Sequence, residues 1–194
     1  MQMSFKILAL APQIFMRDAL GHEVFYIHQK LFKLKEDVRV YSDSSKTREM
    51  YHIGADRIID ISARYNFTDS MNGIPLGSIK REGLKSLWKA SYNIFNDTGN
   101  PSHHIKEDKP VIKVFDALLG EVPVLGMFSG YFFNPSYTIY QVGTEIPVLQ
   151  ISKQRAFFEG KFEIVKMMET ANEAEERRLL LSIMMMTLLE RSRG

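Results

Sequence analysis

The chain has 194 residues, of which 45% are hydrophobic, and this suits one domain with a substantial core. Its 25 basic and 23 acidic residues nearly balance, so a net charge of +2 does not indicate a nucleic-acid-binding protein. There is no cysteine, which excludes disulfides, thiolate metal ligands, cysteine nucleophiles and S-acyl anchors.

Most of the chain predicts short β-strands. The N-terminal segment 1–10 predicts a first strand, because its apolar part is too short and too interrupted for a secretory signal. Runs rich in Ile, Val, Tyr and Phe then alternate with polar or glycine-containing turns, a pattern typical of a β-sandwich or β-barrel. The clearest predicted strands are 24–27, 38–41, 58–67, 92–95, 137–140 and 162–165.

Two stretches, 72–94 and 143–164, share a weak repeat of turn, strand, basic connection and strand. In each copy the isoleucine before Pro75 or Pro147 precedes the next isoleucine by five positions, and a looser third copy begins at Gly21. Because proline has no N–H to donate, we place both prolines at strand starts or on bulges. Repeated hairpins of this kind indicate a meandering barrel.

One segment departs from the β pattern. Residues 110–120 carry apolar side chains at helical spacing, with Pro110 suited to a first turn and Gly120 to a C-terminal cap. The sequence therefore predicts a short amphipathic helix there, preceded by a loop over 100–109.

The C-terminal segment 179–189 is apolar on every side of a helical wheel. Such a helix must be buried on all sides, in a core or in a membrane. As a helix the run spans only about 16 Å, against about 30 Å for a bilayer core, so no transmembrane span is expected. We predict a core helix over 171–191, opened by a capping box at Thr170 and Glu173, with the sheet wrapped around it.

Three features together resemble the tubby C-terminal-like superfamily, which groups phospholipid scramblases, LURP-one-related proteins and bacterial relatives. They are the chain of hairpins, the segment 149–164 and the hydrophobic terminal helix; the opening 17–27 is also similar to the family's first hairpin. The resemblance implies a mainly β fold, a closed barrel of about twelve antiparallel strands around the terminal helix. We expect one domain over 1–194, with an insertion at 97–135, where the resemblance is weakest.

The resemblance also implies functions, namely phosphoinositide binding as in tubby proteins or phospholipid movement as claimed for scramblases. The chain lacks the cysteine-rich segment, the proline-rich N-terminal arm and the acidic calcium loop of animal scramblases. Scramblase activity is therefore not expected.

The best candidate for contact with an anion or a lipid head group is the group Lys80, Arg81, Lys85, Trp88 and Lys89. Each cation near an anionic membrane surface gains about 1 kcal/mol, and tryptophan favours the membrane interface. The alternative is a solvated hairpin in which Trp88 points inward.

No pattern predicts a catalytic residue, a metal site or a cofactor. His103 and His104 are adjacent, so they should point in different directions rather than share a metal. Residues 96–100 lack the spacing of an EF-hand, and Ser129 is one position late for a nucleophile elbow.

We therefore expect a non-enzymatic, cytoplasmic barrel domain, peripheral at the inner membrane face, that binds anionic phospholipid, a membrane surface or a protein partner. Two alternatives stay open. One is an enzyme or small-ligand carrier with a pocket at the barrel mouth. The other is a membrane protein anchored by its C-terminal helix.

Overall fold

Twelve antiparallel strands and one helix build the part of the chain that the computed structural model describes, namely residues 1–6, 13–28, 37–57, 63–82, 90–108, 136–154 and 159–191. Each strand pairs with its neighbours in sequence, and β1 pairs with β12 to close the barrel. The strands are β1 (Gln2–Lys6), β2 (Gln13–Arg17), β3 (Glu23–His28), β4 (Asp37–Tyr41), β5 (Glu49–Ala55), β6 (Arg64–Asp69), β7 (Pro75–Arg81), β8 (Ser91–Phe95), β9 (Pro101–Glu107), β10 (Ser136–Gln141), β11 (Pro147–Gln154) and β12 (Glu159–Lys166), and the helix is α1 (Glu173–Arg191). The predicted mainly β barrel is confirmed.

Most predicted strands coincide with observed ones. The first strand is β1, and the predicted strands 24–27, 38–41, 92–95, 137–140 and 162–165 fall within β3, β4, β8, β10 and β12. Of the prediction over 58–67, residues 64–67 belong to β6, whereas 58–62 lie outside the described residues.

The predicted loop at 100–109 is wrong. Residues Pro101–Glu107 form β9, which pairs with β8 and β10, so this part of the predicted insertion belongs to the barrel wall. Two of its three inward side chains, His103 and Glu107, are polar, and only Ile105 is apolar. The strand therefore shows no hydrophobic alternation in sequence. The predicted helix at 110–120 lies outside the described residues.

The repeated hairpins carry repeated β-bulges. Pro75 and Pro147 are the first residues of β7 and β11, as predicted. Each faces a register shift on the preceding strand, at Phe67/Thr68 and at Ile139/Tyr140. A bulge interrupts the ladder of backbone hydrogen bonds, so a proline opposite the bulge does not have to donate an N–H there. The two Ile-Pro motifs therefore occupy equivalent positions in the barrel.

Helix α1 fills the barrel. Its central side chains from Leu179 to Met186 are all at most 5% exposed, in agreement with the prediction from their apolar character. Among the described residues, no helix has the length and apolar content needed to cross a membrane.

The start of α1 differs from the predicted capping box. Asn172, not Thr170, is the N-cap, because its side-chain oxygen accepts the backbone N–H of Glu175 at 2.9 Å. The Glu175 carboxylate in turn accepts the N–H of Ala171 at 2.5 Å. Asparagine is at least as favourable an N-cap residue as threonine. A capping box at Thr170 would start the helix at residue 171, whereas α1 begins two residues later, at Glu173.

The two ends of the barrel have different connections. Because neighbouring strands are antiparallel, alternate connections lie at opposite ends. One end of the barrel, here called the turn end, carries the short links 18–22, 42–48, 70–74, 96–100, 142–146 and 167–172. At the other end of the barrel, here called the connection end, the strands are joined by the links 7–12, 29–36, 56–63, 82–90, 108–135 and 155–158. Helix α1 also runs toward the connection end.

Candidate binding surface at the connection end of the barrel

Lys80 and Arg81 end strand β7 at the connection end, on opposite faces of the barrel wall. Side chains alternate along a strand, and Ile79 and Arg81 are buried whereas Lys80 is only half-buried. Of the two, Lys80 therefore faces solvent, and Arg81, at 7% exposure, faces the interior.

Lys80 stands in an outward row with Arg64 of β6 and Asn93 of β8. These two residues are its cross-strand partners. Side chains directly opposite each other lie about 5 Å apart at Cβ, and like charges in such a pair destabilise the sheet. The guanidinium of Arg64 lies 4.0 Å from the centroid of the Phe95 ring, which holds one of the two cations in place. The outer wall of β6 and β7 thus presents two neighbouring cations beside the connection end.

Arg81 instead takes part in a buried polar cluster with the end of α1. One guanidinium nitrogen lies 3.5 Å from Oε1 of Glu190, and the Tyr92 hydroxyl donates to the same oxygen at 2.5 Å. The guanidinium also lies 5.7 Å from the Tyr92 ring centroid. Burial, and then the Glu190 carboxylate, raise the pKa of the Tyr92 hydroxyl far above its usual value, so this group stays a proton donor.

Two further polar residues extend the interior cluster. Glu107 is 2% exposed and accepts the backbone N–H of Ala90 at 3.1 Å. Burial, and then Glu107 and Glu190, raise the pKa of the Tyr137 hydroxyl. Through Glu190, this interior cluster connects α1 to β7 and β8. Arg81 is committed to it and is not placed to meet an external anion.

The other predicted contact residues, Lys85, Trp88 and Lys89, lie outside the described residues. The strand ends between which they fall in the sequence, Arg81 of β7 and Ser91 of β8, lie at the connection end. A second basic stretch joins β3 to β4 and also lies outside the described residues. Residues 29–36 contain Lys30, Lys33 and Lys35 interleaved with Leu31, Phe32 and Leu34. Its alternation of lysine with large apolar residues was a signal available in the sequence.

The charges of the links also differ between the two ends. The six links of the connection end contain nine Lys or Arg and seven Asp or Glu, whereas those of the turn end contain two and five. By sequence, the links between strands that end at the connection end are thus the more basic set, and the links of the turn end are acidic.

His103 and His104 point to opposite sides of β9, as predicted. His103 is 3% exposed, and its Nε2 lies 3.4 Å from the Glu175 carboxylate inside the barrel. Burial, and then Arg178 and His104, lower its pKa, while Glu175 partly opposes them. His104 stacks on Tyr140 on the outer wall. In the described part of the chain no three His, Asp or Glu side chains are grouped as metal ligands would be.

An open cleft of about 510 Å³ lies on the outer wall of β9, β10 and β11. Its lining includes Lys106, Thr138, Tyr140 and Gln150. The Lys106 ammonium lies 5.5 Å from the Tyr140 ring centroid and 3.9 Å from the Glu145 carboxylate. The described lining of this cleft offers hydrogen-bonding groups from three neighbouring strands.

Comparison with known proteins gives one match. A model of the LURP-one-related family matches residues 23–171. This span runs from β3 to the residue before the N-cap of α1 and includes the β8–β10 region in which an insertion was expected. No significant match exists among the curated proteins or the solved structures.

Proposed function

The chain belongs to the LURP-one-related family, and from this premise we propose that its barrel is a non-enzymatic domain that binds an anionic membrane surface with its connection end. The observation that carries the proposal is the outward pair of Lys80 and Arg64 next to the links that contain Lys85, Trp88 and Lys89.

The filled interior supports binding on the outside of the barrel. The side chains of α1 occupy the space in which a lipocalin-like barrel would hold a small ligand. At the connection end the interior charges of Arg81 and Glu190 lie together, and Tyr92 donates to the same carboxylate. A ligand at this end would therefore contact the rim and its links.

The composition of the rim fits a membrane surface better than a soluble anion. Lysines attract the anionic surface at about 1 kcal/mol each, so Lys80, Lys85 and Lys89 together would supply about 3 kcal/mol. Trp88 adds an aromatic side chain suited to the head-group region. The acidic turn end would point away from the membrane.

The proposal is tested by co-sedimentation with vesicles of phosphatidylcholine alone and of phosphatidylcholine with phosphatidylserine. We expect binding only to the anionic vesicles, weakened by salt because the contact is electrostatic. Lys80→Glu and the double variant Lys85→Glu/Lys89→Glu should each lower the partition coefficient, by about fivefold or more per lysine.

The matched control is Arg48→Glu, which makes the same charge change on an exposed residue of the turn end whose guanidinium contacts Met71 at that end. It should leave binding unchanged. Equal binding to neutral and anionic vesicles, or an equal loss in the control, would contradict the proposal.

A small-ligand carrier is the second candidate, and the outer cleft beside Lys106 is the observation that favours it. In that case Thr138→Val and Gln150→Leu should abolish binding of a polar small molecule found by ligand screening, with vesicle binding unaffected.

A further inference from the structure

The described surface has one concentration of exposed apolar side chains. Eight large hydrophobic residues are exposed, and five of them belong to two neighbouring segments at the turn end. These five, here called the methionine patch, are Val142, Ile146, Val165, Met167 and Met168, with exposures between 37% and 53%. Clustered exposure of this kind marks interaction sites, whereas scattered apolar residues do not.

Backbone contacts show that the two segments are adjacent. The N–H groups of Met167 and Met168 both donate to the carbonyl of Val148, at 2.9 and 3.3 Å. The turn that holds Val142 and Ile146 directly precedes β11 and is closed by the hydrogen bond from Gln141 N–H to the Ile146 carbonyl. The two segments that carry the methionine patch are therefore neighbours at the turn end.

The charges that border the patch are negative at their outermost points. Glu145 and Glu169 have side chains that are 84% and 88% exposed. Their ion-pair partners Lys106 and Lys166 are only 42% and 34% exposed, so the glutamates are the more exposed members of both pairs. An anionic membrane would be repelled by this border, whereas a cationic partner would be attracted.

We propose that the methionine patch binds a basic amphipathic segment of a partner protein. Apolar side chains of that segment pack on Met167 and Met168, whose flexible side chains adapt to different partners. Lysine or arginine residues at its edges meet Glu145 and Glu169. Because this surface lies at the turn end, the partner and a membrane at the connection end can bind at the same time.

The experiment uses the full chain with methyl-labelled methionine and two synthetic helical peptides. One peptide carries leucines on one face and lysines on the other, and the second replaces every lysine by glutamate. The basic peptide should shift the methyl signals of Met167 and Met168. The Met71 signal should not move, and it serves as the internal control because Met71 is exposed at the turn end outside the patch.

Affinities measured by fluorescence anisotropy complete the test. Met167→Ser/Met168→Ser should weaken binding of the basic peptide at least tenfold, and Glu145→Lys/Glu169→Lys at least fivefold. The control Leu20→Ser/Met71→Ser should bind like the unchanged chain. All three variants should keep their affinity for anionic vesicles, which separates this surface from the proposed membrane surface.

The proposal is overturned by any of three results. These are equal affinity for the basic and acidic peptides, an equal loss in the Leu20→Ser/Met71→Ser control, or anionic vesicles that shift the Met167 and Met168 signals. Each variant changes exposed residues only, and thermal unfolding would confirm that it remains folded.

Discussion

Arg81 gives the most direct test of the structural reasoning, because the sequence makes it a surface contact and the structure buries it against Glu190. The change to examine is Arg81→Met, which keeps an unbranched stem and removes the charge. Arg81 is 7% exposed and the Glu190 side chain is 19% exposed, so the variant removes a cation from beside a mostly buried carboxylate. Removing one partner of a buried ion pair lowers the free energy of unfolding by about 3–5 kcal/mol. Because the Tyr92 hydroxyl still donates to Glu190, we expect a loss at the lower end of this range, about 3 kcal/mol in the free energy of unfolding.

Urea unfolding followed by circular dichroism measures this loss as a lower midpoint with an unchanged slope. The double variant Arg81→Met/Glu190→Gln should cost less than the two single changes together, because the neutral amide no longer needs a cation. The folded fraction of Arg81→Met should bind anionic vesicles as the unchanged chain does. A loss of stability below about 1 kcal/mol together with a loss of vesicle binding would refute the buried role of Arg81.

Two further predictions concern the other end of α1. Gly77 has φ of +130°, and a Cβ there would lie 2.2 Å from the Phe95 carbonyl oxygen and 2.6 Å from Cδ of Arg178. Gly77→Ala should therefore lower the free energy of unfolding by more than about 3 kcal/mol in urea. Gly99→Ala, with φ of +84° and open space around it, should lower it by only about 1 kcal/mol. Equal losses would contradict the close approach of Phe95 and Arg178 to Gly77. Burial lowers the pKa of His103 in the folded chain. As the pH falls below about 6.5, the His103 side chain is therefore protonated in the unfolded chain before it is protonated in the folded chain. The free energy of unfolding decreases over this range, until the pH falls below the lower pKa of the folded chain. His103→Gln should lose less stability between pH 7.5 and pH 5 than the unchanged chain, as seen in urea midpoints, and an equal loss would remove His103 as the cause.

Much of the fold could be predicted from local sequence features. The short apolar runs and turn residues indicated the hairpins, and Pro75 and Pro147 indicated strand starts because a missing N–H restricts where proline can pair. Strand β9 escaped prediction because His103 and Glu107 face the interior, where polar groups of α1 and neighbouring strands receive them. Hydrophobic alternation cannot reveal a strand whose buried side chains are polar.

The candidate site was predictable only in part. Lys80 and Arg81 are adjacent in sequence and were assigned one role, yet alternation along β7 sends them to opposite sides of the wall. The partner of Arg81 is Glu190, more than a hundred positions later in the chain. A contact of that separation leaves no local pattern, so its existence depends on how the helix is threaded through the barrel.

The sequence alone indicated that the helix over 179–189 would be buried, because apolar side chains around a whole helix leave no face that water can solvate. Residues 179–188 are buried, and Leu189 is partly buried. Tertiary structure alone decided which polar residues share the interior with that helix and which links share an end of the barrel. Both depend on strand register and closure, since a shift of one residue moves every side chain of a strand to the other face.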